Sequence, residues 1–143
     1  MREKLAKVAD RIKGLRDRQE TAGKQTRAVN VRALKAKKWQ REHQETLSSL
    51  ADIETGLADE LDSLVQQRFQ AIKVVARLLE QSSDAMRRSA KQIDGRNKEI
   101  SDRAATEPFD PAAEEKAQAE IEKWQDLALR RLDQLLEIGR AHV

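Results

Sequence analysis

The chain contains no cysteine and no tyrosine, two prolines, five glycines, two tryptophans and two phenylalanines in 143 residues. Each shortage excludes something. Without cysteine there is no disulfide, no thiolate nucleophile and no zinc–thiolate site. With so few aromatics, and with 38% hydrophobic against 37% charged residues, the composition suits long helices better than a compact globule. No apolar run approaches the roughly 20 residues needed to cross a bilayer. The longest, AIKVVARLL, is interrupted by Lys73 and Arg77. The start, MREKLAKVADRIKGL, lacks the apolar core and small-residue cleavage site of a secretory signal. A cytoplasmic location is expected if Met1 is the true start, and an envelope association if the chain belongs to a larger protein.

Catalytic vocabulary is equally sparse. There is no glycine-rich phosphate loop and no nucleophile elbow. His43, flanked in REHQE by Glu42 and Glu45, has Trp39, Gln40, Thr46 and Leu47 at the spacings where a helical metal ligand would stand. No metal, cofactor or enzymatic activity is expected, and His43 reads as a polar residue of a packing seam. The last six residues, IGRAHV, abandon the leucine spacing of the preceding RLDQLLE and coincide with the translation of a common short-read sequencing adapter. Residues 138–143 are therefore read as adapter-derived, and 1–137 as a single elongated helical domain cut from a longer protein.

What is present is periodicity. Positions 5, 8, 12, 15, 19, 22, 26, 29, 33, 36, 40, 43, 47, 50, 54, 57, 61 and 64 alternate steps of three and four, and all but Gln19, Thr26, Gln40, His43 and Glu54 are apolar. That is the seam of a helix packed along its length. Glu54 on the seam reads as a device that fixes register or partner. A second register starts one residue out of phase at Val65 and runs through Phe69, Ile72, Ala76, Leu79, Ser83, Met86, Ala90, Ile93, Asn97, Ile100 and Ala104. The slip predicts either a distorted continuous helix or a turn near SLVQQRF. A third helix is predicted from Asp110 as N-cap and Pro111 as first helical residue. Its apolar stripe is Ala113, Ala117, Ile121, Trp124, Ala128, Leu132 and Leu135. The expected fold is all-α: an elongated antiparallel three-helix bundle, with a coiled-coil hairpin of helices 2–64 and 67–105 and a third helix over 111–137.

Charge is segregated along the chain. Residues 1–41 carry net +10, 42–65 net −7, 66–103 net +4 and 104–137 net −5. Antiparallel folding brings the acidic 42–65 beside the bases that follow the turn, and sets acidic 104–137 against basic 1–41. The densest basic run is RALKAKKWQR. Arg32, Lys35, Lys37, Lys38 and Arg41 are candidates to neutralise phosphates on a nucleic acid or an anionic lipid surface, with Trp39 placed to stack on a base. The other reading has Trp39 covering the flank of a thin seam and the bases facing the acidic third helix.

The stretches LAKVADRIKGLRDRQE, KKWQREHQETLSSLADIETGLADEL and ALRRLDQLLE resemble segments of long helical proteins of planctomycete-type bacteria. The resemblance implies a helical region near the C-terminal part of a larger protein, with no assigned activity and no functional residues to carry over. The function expected is a structural or oligomerisation coiled-coil scaffold that engages other helices, by self-association or on a helical partner. The alternative is non-specific nucleic-acid or anionic-surface binding through 32–41.

Overall fold

The computed structural model describes residues 2–69, 72–104 and 106–141, with side chains described over 7–67, 72–104 and 106–139. The tail 138–143 is only partly covered: α4, below, runs to Ala141, and 142–143 lie outside the described residues. Among the described residues four α-helices follow one another, α1 (Arg2–Ala36), α2 (Arg41–Leu64), α3 (Lys73–Asp102) and α4 (Pro111–Ala141), with a π-helical turn at Val65–Phe69 before α3. Each packs against two neighbours in the ring order α1–α2–α3–α4. Every adjacent pair is antiparallel, since in paired cross-helix contacts the numbering rises on one helix as it falls on the other: Arg18–Glu60 with Gln19–Glu54, Arg87–Asp59 with Asn97–Gln44, Ser82–Ala128 with Arg96–Gln118, and Arg16–Asp133 with Arg27–Glu122. The molecule is an up-down-up-down bundle.

The all-α class and the antiparallel bundle match the expectation, but the helix count is four because the 2–64 helix is broken. At its break Lys37 takes φ 56°. The Lys38 amide donates to the Ala33 carbonyl and the Lys37 amide to the Leu34 carbonyl, both at 3.3 Å. This pair of bonds around a left-handed residue is the Schellman ending of a helix, here with lysine where glycine is usual. Gln40 then returns to extended backbone, and its amide donates to His43 Nδ1 at 3.2 Å, opening α2. The seam spacing runs through this turn without a slip, so periodicity carries no mark of it.

The slip at Leu64–Val65 has a different cause. A π turn holds one more residue than an α turn, and Val65–Phe69 absorbs the offset. Ile72, expected on the seam, is the extended cap of α3 and is exposed. At α4, Asp110 Oδ1 accepts from the amides of Ala112 and Ala113 at 3.1 and 3.3 Å, as its place before Pro111 predicts.

The apolar interior forms two clusters. One holds Val8, Ile12 and Leu15 of α1, Leu57, Leu61 and Leu64 of α2, Leu79 and Met86 of α3, and Leu132 and Leu135 of α4. The other, nearer the α1–α2 turn, holds Ala22, Val29, Leu47, Leu50, Ile93 and Ile121. Charge segregation is realised across the helices: Arg27 binds Glu115 and Glu122, Arg16 binds Asp133, and Arg87 binds Asp59 and Asp62.

Because a left-handed lysine backbone costs about 1 kcal/mol that glycine does not incur, Lys37→Gly should raise the unfolding free energy by roughly that amount. Urea unfolding measures it. A destabilised variant would contradict this account of the α1 ending.

Candidate functional site

Between the two apolar clusters lies a layer built from one polar residue of each helix: Gln19, Glu54, Ser89 and Gln125, all buried. Glu54 is wholly inaccessible to water. Gln19 Nε2 donates to Glu54 Oε1 at 2.7 Å, and Gln125 Nε2 to the same oxygen at 3.3 Å. Ser89 gives its proton to the Met86 carbonyl at 2.8 Å. Glu54 Oε2 and Gln19 Oε1 have no donor among the described residues. Two buried acceptors with no protein donor favour a proton on the carboxyl, which turns one of them into a donor. Burial pushes Glu54 up to about 7, against the opposing hydrogen bonds of Gln19 and Gln125.

From this layer a hydrogen-bonded ladder descends toward the α1–α2 turn. Thr26 Oγ1 donates to Gln125 Oε1 at 3.0 Å, Gln118 Nε2 approaches Thr26 Oγ1 at 3.4 Å, and Arg96 Nη1 donates to Gln118 Oε1 at 2.9 Å. Arg96, only 4% exposed, also donates to Asn30 Oδ1 and, at 2.9 Å, to Glu114 Oε2. Glu114 receives Arg103 and, at 2.8 Å, the Trp39 indole N–H. Burial alone would raise Glu114, but the bonds from Arg96, Arg103 and Trp39 outweigh it and hold the carboxylate below its ordinary value. Burial likewise lowers Arg96, opposed by Glu114. The Arg96 guanidinium lies 4.6 Å from the centre of the Trp39 ring, a cation–π contact.

These contacts place the candidate residues. Arg32, Lys35, Lys37, Lys38 and Arg41 are all exposed around the α1–α2 turn. Arg41 pairs with Glu45 one turn along its own helix. The acidic α4 is met by Arg16 and Arg27 instead, so the expectation that the 32–41 bases face it is corrected. Trp39 is half-buried against the apolar cluster nearer the α1–α2 turn, with its ring nearly perpendicular to that of His43 and its indole N–H on Glu114.

Periodicity misses Arg96 because it sits beside Asn97, the register position, which is only half-buried. The apolar stripe expected on α4 holds at Ile121, Ala128, Leu132 and Leu135 and is one residue off at three other positions. Glu114, Gln118 and Gln125 point inward in place of Ala113, Ala117 and Trp124. They do so because their partners Arg96, Thr26 and Glu54 are also inside, and a search for apolar residues passes over them. The described residues hold no cluster of three metal-ligating side chains, and none of their helices is long and apolar enough to cross a membrane.

A carboxyl raised in the folded state contributes stability that is complete below its unfolded value and is lost as pH rises through the folded one. For Glu54 that window runs from 4.5 to about 7. Above it the ionised layer should cost about 3 kcal/mol. Glu54→Gln, which mimics the neutral acid, should therefore be more stable than the parent chain at pH 8 by up to that amount. The advantage should vanish below pH about 4.5. Urea unfolding of both proteins across this range measures the difference, and a pH-independent gap would contradict the buried-acid assignment.

No family model matches the chain, and neither a curated protein nor a solved structure matches it.

Proposed function

We propose that the chain is a structural helix-packing module, a scaffold whose work is to hold helices in one arrangement and present them to other helices, and not an enzyme. The observation that supports this best is the fate of its polar seam residues. Gln19, Thr26, His43 and Glu54 are all buried inside the bundle and bonded to the other helices or, for His43, to the start of its own. Their chemistry goes into positioning helices. The pair Arg96–Glu114, which in an open cleft would suggest catalysis, is enclosed by Asn30, Trp39, Arg103 and Gln118.

Phosphate binding through the basic turn is the second reading. It is favoured by the exposure of Arg32, Lys35, Lys37 and Lys38, none of which has a carboxylate partner among the described residues. Against it stands Trp39, the residue meant to stack on a base. Its ring and its N–H are already engaged by Arg96 and Glu114. The net charge of +3 is also too small for the whole molecule to steer polyanions strongly.

Fluorescence anisotropy with labelled duplex and single-stranded oligonucleotides, and sedimentation with anionic vesicles, separate the two. The scaffold reading expects no binding at about 0.15 M salt. A sub-micromolar complex would replace it if its affinity fell with salt by roughly 0.9 log units per log unit for each neutralised phosphate and were abolished by Lys37→Glu with Lys38→Glu.

A further inference from the structure

The α1–α2 pair is the sparsest of the four helix interfaces, and an open groove runs between the two helices on the outside of the bundle. Its two lobes share Arg32, Glu42 and Thr46 and so form one channel. Arg18 and Glu60 bridge the helices at 2.8 Å, on the side of the groove away from the α1–α2 turn. Toward the turn the floor is small and partly apolar, made by Ala28, Thr46, Ser49 and Ile53, the last a large hydrophobic residue left 40% exposed. Lys35 and Arg32 stand on the α1 flank, and Glu42 and Glu45 on the α2 flank. Arg32, Lys35 and Glu42 pair with no opposite charge among the described residues, although Lys35 and Glu42 line the same lobe.

We propose that this groove is the face through which two copies of the chain associate, with a two-fold axis running along it. Such an axis lays α1 of one copy over α2 of the other and keeps both turns at the same end. Arg32 and Lys35 then face the partner's Glu42 and the partner's Glu45, and the same contacts recur on the other side of the axis, as an isologous interface requires. The occupant follows from charge. A polyanion would meet Glu42 and Glu45, and a uniformly acidic or basic helix would be repelled by one flank. A second copy is complementary to both flanks at once. The small floor residues let helices approach closely, and Ile53 and its symmetry mate supply apolar area at the centre. The proposal rests on the scaffold reading and gives it a partner. It also gives Arg32 and Lys35, left over from the phosphate-binding reading, a role in recognition.

Analytical ultracentrifugation of the full chain over a range of concentration and salt tests it. The wild type should dimerise, less tightly as salt rises. The pair Arg32→Glu with Lys35→Glu leaves only acids on the groove, and Glu42→Lys with Glu45→Lys leaves only bases. Each pair should raise the dimer Kd at least about tenfold. Circular dichroism should be unchanged, because all four side chains are exposed. Mixing the two variants in equal amounts should restore a dimer containing one of each. A wild type that stays monomeric, or a dimer indifferent to both reversals, would overturn the proposal. A monomeric but fully helical chain would do so while leaving the scaffold reading in place, since that reading fails on the nucleic-acid assay instead.

Discussion

A carboxyl group shut away from water must find its donors inside the protein or give up its charge, and among the described residues this bundle holds one of each kind. Glu114 keeps its charge because Arg96, Arg103 and Trp39 converge on it. Among the described residues Glu54 has only the side-chain amides of Gln19 and Gln125 as donors, its Oε2 is left without one, and burial pushes it toward the neutral form. The polar ladder between them draws on all four helices, so shifting any one of them along its axis would strand several buried groups. Removing one partner from such a pair costs about 3–5 kcal/mol because the other is left uncompensated. Apolar side chains slide past one another far more cheaply. The leucine and isoleucine clusters on either side of the Glu54 layer supply burial, and the layer supplies register.

This division accounts for what the sequence disclosed and what it withheld. The seam of α1 and α2 was legible because leucine, valine and alanine at steps of three and four line up on one face of a helix and on no face of a strand. Its polar departures carried the rest of the information. Gln19, Thr26, His43 and Glu54 are all buried, and Gln40, the fifth, marks the break that opens α2. The break itself was hidden because the phase continues across Lys37–Gln40 and no glycine or proline signals the turn. In α4 the inward positions at Glu114, Gln118 and Gln125 look like surface residues until Arg96, Thr26 and Glu54 are known to face them. The deciding fact there is a contact between residues up to 99 positions apart, which no local pattern contains.

The same logic sorts the basic residues of the first helix and its turn. Arg16 and Arg27 are tied to acids of α4, and their charge stabilises the bundle. Arg32 and Lys35 border the one helix pair that is loosely packed, and they face Glu42 and Glu45 across an open groove. Interior polarity thus fixes the arrangement of the four helices, while surface charge is left where a further helix can use it. That organisation supports the proposed scaffold reading.

The claim that the Glu54 layer sets the register is tested most directly by making the layer apolar, with Gln19→Leu, Glu54→Leu, Ser89→Ala and Gln125→Leu together, and recording the amide proton–nitrogen correlation spectrum. Removing buried polar groups should raise the melting temperature. Losing the register device should multiply or broaden the amide signals as alternative helix alignments become populated. A single sharp set of signals, matching the wild type in number and in its cross-helix contacts, would contradict the account.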